Sequence, residues 1–212
     1  INSALMEGNS YREIFNGKKW TQIDKSQFTG KGGDSIGAPD AKSTAMQEVA
    51  SMFAIQKGIE ANGYSDQTRF YKLFREEMIE IYPDMNEEWE NTFFQQQVTT
   101  VRELGKSKFT EYSRDDGFME WISEFVKNKY NIVKKDSWNP ADIWLVNDMA
   151  AVKKTLQKKI IDDVTTLQEF NAILRDMWYE KRVIGISLKK MSGKVAKWEL
   201  VNLKDMDLFD NN

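Results

Sequence analysis

Cysteine and histidine are both absent from this 212-residue chain. Without cysteine there is no disulfide framework, no thiolate zinc site and no thiol nucleophile. Without histidine there is no imidazole ligand, no imidazole general base and no Ser-His-Asp triad. Any catalysis must therefore run on carboxylates, lysine, tyrosine, serine or a hard metal ion that accepts oxygen ligands. Long apolar runs are missing as well. None approaches the ~20 residues of a membrane-spanning helix, so no membrane partner is expected. Positive charge is not in excess: 30 Lys and Arg stand against 33 Asp and Glu, a net charge of −3. A nucleic-acid contact must then use a local basic patch. The chain opens on Ile1 rather than methionine, as a trimmed or processed product would, and shows no signal peptide.

What is present suffices for a core. Hydrophobic residues make up 41% and aromatics 12%, which excludes global disorder. The first 39 residues read as irregular, with Gly30, Gly32, Gly33, Gly37 and Pro39 in the stretch FTGKGGDSIGAPDA. That stretch lacks the Gly-Lys-Ser/Thr of a P-loop. It reads as a surface loop, or as a glycine loop approaching a phosphate with Lys31 beside it. Four helices are expected next, over about 44–62, 66–82, 86–104 and 115–130. Thr44 and Gln47 have capping-box spacing; Asn62-Gly63, Pro83 and Gly105 mark helix ends. After Tyr130 the pattern changes. Residues 131–133, 141–146, 183–190 and 194–203 read as strands, with helices over 149–161 and 166–180. The short join at 191–193 predicts that the last two strands form a hairpin. The expected class is α+β, or mixed α/β. A helix-rich region over 1–130, whose helix 44–62 packs on the core, precedes a small mixed central sheet over 131–212, flanked by helices. Together they are expected to form one compact domain.

Alternation along the strands sorts the polar groups. In VIGISLKK, Ile184, Ile186 and Leu188 share one face, and Gly185, Ser187 and Lys189 the other. Glycine at 185 leaves space for something to approach the backbone. In ADIWLV, Asp142, Trp144 and Val146 share a face, so Asp142 lies beside Lys189 if both strands join one sheet. On the first helix Glu48 aligns with Met52, Ile55 and Ile59, at i+4, i+7 and i+11, while Gln47, Ser51 and Gly58 form the polar side. An inward carboxylate is costly unless paired, protonated or metal-bound. Glu48 therefore requires a partner: a metal site, or Lys189. In KWELVN, Glu199 is placed across the hairpin from Ser187.

A helix glutamate, a Pro-x-Asp opening one strand and an x-x-Lys on the next resemble the PD-(D/E)xK, or restriction-endonuclease-like, nuclease superfamily. The pieces are Glu48 in MQEVAS, Asp142 in NPADIWLV and Ser187-Leu188-Lys189 in GISLKK. The resemblance covers mainly residues 138–203 and the helix near Glu48. It implies a restriction-endonuclease-like core and Mg²⁺- or Mn²⁺-dependent cleavage of DNA phosphodiester bonds. Asp142 and Glu48 would hold the metal, and Lys189 would orient the attacking water and stabilise phosphate charge. Two features depart from the pattern. Ser187 stands where the family usually has a second carboxylate, a place Glu199 or Glu48 would have to supply. The 45 residues between Asp142 and Ser187 are also long, because two helices intervene.

Lys153 and Lys154, with Lys158 and Lys159, form either a solvated helix face or a track for a nucleic-acid backbone; Lys31 and Lys190 are further candidates for that contact. The aromatic stripes RFYKLF, EEWENTFF and MEWISEF predict helix-packing core. The alternative to an enzyme is a non-catalytic structural or assembly protein with a nuclease-like core, since the general character of the sequence resembles phage-encoded proteins. The partners would then be other copies of the chain or viral components, and the location the host cytoplasm or the virion. A helical module binding a protein partner is a third reading.

Overall fold

The computed structural model describes residues 3–5, 11–15, 20–24, 41–132, 138, 139, 141–161, 166–189, 191 and 193–200. The chain divides into two compact units, 1–47 and 48–212. The first holds a three-stranded antiparallel meander of β1 (Ser3–Leu5), β2 (Tyr11–Phe15) and β3 (Trp20–Asp24). Register runs from Tyr11↔Asp24 to Phe15↔Trp20. These strands replace the irregular structure expected there. Their apolar residues are too interspersed with charge to give a clear two-residue period. The glycine-rich stretch around Lys31 lies outside the described residues.

Helix α1 (Ala41–Glu60) begins in the first unit and continues in the second. The second unit then runs α2 (Gln67–Ile81), α3 (Glu87–Leu104), β4 (Glu111–Ser113), α4 (Gly117–Tyr130), β5 (Ile143–Val146), α5 (Met149–Ile161), α6 (Leu167–Tyr179) and β6 (Val183–Ile186). The helix ends follow local chemistry. Asn62 and Gly63 adopt positive φ, and Gly63 N–H returns to Gly58 C=O at 2.7 Å, closing α1. Asp66 and Asn86 cap α2 and α3 through their side chains. Thr166 and Glu169 form a reciprocal capping box on α6. The pair Thr44 and Gln47 does not start a helix. It lies inside α1, where the Gln47 amide donates to Ser43 Oγ at 3.0 Å.

The sheet of this unit has the order β4-β5-β6 and is antiparallel throughout the described residues, where a mixed sheet was expected. Register runs from Ile143↔Ile186 to Val146↔Val183, and Asn147 N–H donates to Arg182 C=O at 3.0 Å. Helices α5 and α6 therefore leave the sheet and return to it at one point. They are two helices inserted into what is otherwise a β-hairpin. Two expected strands are not formed. Asn131 takes the left-handed conformation that ends α4, so residues 131 and 132 do not extend; residue 133 lies outside the described residues. Residues 193–200 carry no strand. Thr99 Oγ1 donates to Ala196 C=O, and Trp198 packs on the core, so this segment is tied to α3 rather than paired with β6.

Every residue of β5 is buried. Trp144 and Val146 join Val183 under α4, α5 and α6, through Phe118, Ile122, Val152, Leu156 and Phe170. Ile143 and Leu145 join Ile184 and Ile186 on the other face, under Ile55 of α1 and Leu104 of α3. Met52 and Ile59 pack against this second cluster, as the helical arc containing Glu48 predicts. The supposed polar side of α1 is buried too. Ser51 is 2% exposed, and Gly58 sits against Gln97 of α3. Gln97, fully buried, donates to Tyr64 C=O at 2.8 Å and accepts from Tyr64 N–H at 3.3 Å.

A Cβ at Gly58 would stand 2.5 Å from Gln97 Oε1 and 2.9 Å from Gln97 Cβ. Gly58→Ala is expected to cost about 1–3 kcal/mol by overpacking. In the Gln97→Ala background the same change should cost less, by an interaction energy of about 1 kcal/mol. Urea unfolding of the four proteins measures this cycle. Tyr112 gives a pH-dependent test. Its buried hydroxyl meets no partner among the described residues, and burial, then the Glu60 carboxylate, pushes it up to about 12. The folded state favours the neutral phenol, so its contribution is complete below pH 10 and is lost as pH rises from 10 toward 12. Tyr112→Phe should be neutral or stabilising at pH 7. It should also lose less stability between pH 10 and 12 than the parent, as read from urea midpoints across that window.

Candidate functional site

Strand β5 is held rigidly on both faces, and Asp142 immediately precedes it. Its backbone N–H donates to Ile186 C=O at 2.9 Å, tying the strand's mouth to the end of β6. Its Oδ2 accepts from the Ser187 hydroxyl at 3.3 Å and from the Leu188 N–H at 2.5 Å. Two short stretches 45 residues apart in sequence are thus joined through one carboxylate. Buried Asn139 shapes the approach, its Oδ1 accepting from Ala141 N–H at 3.0 Å; Pro140 lies outside the described residues. Lys189 comes next after the residue whose amide holds Asp142. It is exposed and makes no ion pair with another described residue. The sheet thus brings the aspartate and the Ser-x-Lys stretch together, while leaving the ammonium without an ionic partner among the described residues.

Glu48 has a partner other than the two expected. Arg114, one residue past β4, donates from Nε to Glu48 Oε2 at 2.7 Å, and both side chains are largely buried, 21% and 17% exposed. Arg114 Nη1 also pairs with Asp115, and Arg114 N–H donates to Asp116 Oδ1 at 3.1 Å. Strand register places Arg114 at the same end of the sheet as Asp142. The last β4–β5 pair is Ser113↔Trp144, so the next residues outward are Arg114 after β4 and Ile143 at the start of β5. Sequence patterning does not single out Arg114, because it follows a three-residue strand that has no periodic signal of its own. Its only trace is an arginine between a short apolar-aromatic stretch and two aspartates.

Gly185 serves a purpose different from the expected one. A Cβ there would lie 3.1 Å from Ala141 Cβ and 3.2 Å from the Trp144 ring. The space it leaves is filled by the indole rather than by a ligand. Glu199 is exposed, lies in the strandless segment tied to α3, and bonds to no other described residue, Ser187 included. Lys153 is half-buried with its ammonium 5.2 Å over the Trp121 ring, which joins α5 to α4. Lys154 and Lys158 are exposed on α5. Lys31, Lys190 and the side chain of Lys159 lie outside the described residues.

No three carboxylates among the described residues gather closely enough to cage a cation. The donors at the sheet end are Asp142, whose Oδ1 accepts no bond from a described residue, and the Ser187 hydroxyl; Glu48 is engaged by Arg114. Mg²⁺ commonly takes one or two carboxylates and completes its shell with waters and substrate phosphates. The donor set fits a cation shared with a phosphate substrate, and does not fit one held by protein groups alone. No helix among the described residues is long and apolar enough to cross a membrane. Compared with known proteins, the chain matches no family model, no curated protein and no solved structure.

Replacing Asp142 by alanine leaves the Leu188 N–H and the Ser187 hydroxyl without their acceptor. The expected cost is about 1 kcal/mol, because both groups are near enough to solvent to recover water. Asp142→Asn retains an acceptor oxygen and should cost less. Thermal unfolding of the two variants against the parent checks the order.

Proposed function

We propose that this chain is a metal-dependent nuclease acting on DNA phosphodiester bonds, with its site at the end of the β4-β5-β6 sheet. One observation carries the reading: the hydrogen bonds from Ser187 and Leu188 to Asp142. They bring together the two halves of a motif that a 36-residue excursion through α5 and α6, residues 147–182, separates in sequence. The excursion begins and ends at one point of the ladder, so its length does not disturb the pairing.

In this reading Asp142 keeps Oδ1 for a ligand while Oδ2 is fixed by the Leu188 amide just past β6. The carboxylate needs no reorganisation when substrate arrives, which is how a preorganised site lowers a barrier. Lys189 carries at the same edge an ammonium that pairs with no described residue, suited to the non-bridging oxygens of a phosphodiester and to the charge that develops on them. Ser187 supplies a hydroxyl where the related pattern has a carboxylate, so the site has less negative charge and weaker hold on a cation. A bound Mg²⁺ or Mn²⁺ would supply Lewis-acid activation of water and neutralise phosphate charge.

The reading predicts nicking of plasmid DNA that requires Mg²⁺ or Mn²⁺, with Mn²⁺ the better cofactor because its coordination is less demanding. Asp142→Ala and Lys189→Ala are expected to lose at least about 100-fold in rate, in the range for removing a positioned acid–base or electrostatic group. Unchanged cleavage in Asp142→Ala rejects this site. The second reading is a non-catalytic assembly protein, and a specific arrangement favours it: Asp142 Oδ2 and Glu48 are both already satisfied by protein donors. It predicts no cleavage with either metal on plasmid, single-stranded DNA or RNA, together with a concentration-dependent multimer in sedimentation.

A further inference from the structure

Arg114 has a bonding capacity that its ion pairs leave partly unused, and a role for it in ligand binding rests on the nuclease reading of the same sheet end. Its guanidinium is largely buried yet holds two different carboxylates, Glu48 through Nε and Asp115 through Nη1. The donors of Nη2 meet no acceptor among the described residues. An arginine with a spare N–H pair beside an anion-handling edge is matched to the tetrahedral oxygens of a phosphate, which it can engage bidentately. The turn that aims it is specifically built. Asp115 adopts a left-handed backbone, φ 62°, which a non-glycine residue keeps only where its surroundings over-determine it. Arg114 N–H is clamped by Asp116, and Ser113 Oγ accepts from Met119 N–H at 3.2 Å, fixing the same turn to α4. Glu48, meanwhile, pairs with Arg114 and with no other cation among the described residues.

We infer that Arg114 is a phosphate-binding residue that exchanges Glu48 for a phosphodiester oxygen, so that the Glu48 carboxylate is freed toward a divalent cation only when nucleic acid is bound. Without substrate the arginine holds the carboxylate and the donor set stays thin. With a phosphodiester present, the guanidinium turns its donors to the phosphate, and Glu48 joins Asp142 and the phosphate oxygens as a ligand. The exchange moves one ion pair to another without transferring a proton. It accounts for a site that carries the right kinds of residue while its described carboxylates form no metal cage in the resting chain.

Two binding titrations on the full chain test this without relying on cleavage. The first is Mn²⁺ alone, followed by the loss of the free-ion electron paramagnetic resonance signal. The second is a fluorescein-labelled duplex oligonucleotide in EDTA, followed by anisotropy across a range of salt. Arg114→Gln is expected to bind Mn²⁺ several-fold more tightly, because Glu48 is released. It should also bind duplex about tenfold more weakly, with the slope of log K against log salt reduced by about 1, the signature of one lost phosphate contact. Glu48→Gln should bind duplex more tightly while its affinity for Mn²⁺ alone stays unchanged, and Arg114→Lys should restore part of the salt slope. A merely structural ion pair would lower both affinities together, or neither, and either result overturns the inference. If Arg114→Gln fails to fold by circular dichroism, Glu48→Gln decides: a duplex affinity that does not rise overturns it. Opposite movements on plasmid that stays intact leave the exchange standing and remove the nuclease reading. Metal-dependent nicking with unchanged duplex binding in Arg114→Gln does the reverse.

Discussion

Burial of Ile143, Trp144, Leu145 and Val146 on both faces of a single short strand is the constraint from which the second unit is built. A strand with no solvent face cannot slip by one residue, because a slip exchanges every side chain between two cores of different shape. Trp144 and Val146 are committed to the aromatic cluster beneath α4, α5 and α6, and Ile143 and Leu145 to the aliphatic cluster beneath α1 and α3. Gly185 reinforces that commitment, since only a residue without a Cβ leaves room for the Trp144 ring. The register of β5 against β4 and β6 is thereby locked. With it are locked the positions of the residues just past each strand's end.

Those flanking residues are where the polar chemistry collects. Asp142 precedes β5, Ser187 and Lys189 follow β6, and Arg114 follows β4. All four stand at one end of the sheet. A rigid strand makes a good mount because the carboxylate it carries inherits the strand's small positional freedom. The bonds from Ser187 and Leu188 to Asp142 then close the edge. The insertion of α5 and α6 has little leverage over this arrangement. It departs at Val146 and returns at Val183, the far end of the ladder from Asp142.

Charge around the sheet end is organised as pairs rather than as a cage. Arg114 sits among Glu48, Asp115 and Asp116, while Lys189 is left without an ionic partner among the described residues. Under the proposed exchange, an anionic ligand would enter from the Lys189 side and draw the guanidinium toward it. Apart from the sheet end, the polar groups serve the fold. Gln97 staples the end of α1 to α3 by satisfying both backbone groups of Tyr64, and Lys153 joins α4 to α5 over Trp121.

Much of this fold is legible in the sequence, because its signals are local. Helix spans follow from 3.6-residue periodicity and from ends at Gly63, Pro83, Gly105 and Thr166. The strands at 143–146 and 183–186 follow from apolar runs, and the inward arc of Glu48, Met52, Ile55 and Ile59 from one helical wheel. The strand at 111–113 is invisible because three residues carry no period. The strand expected within 194–203 is absent from 194–200 because Thr99 and the core bind that segment to α3, a contact 97 residues long in sequence. For the site, the sequence alone determined that chemistry here runs without imidazole or thiol groups, and that Asp142 opens a buried strand. Only the tertiary structure decided that Asp142 meets Ser187, that Gly185 admits an indole, and that Glu48 belongs to Arg114. The reason is physical: burial raises the need for a partner, and periodicity reveals that need, but the partner's identity depends on which distant segments a fixed register brings to the same edge.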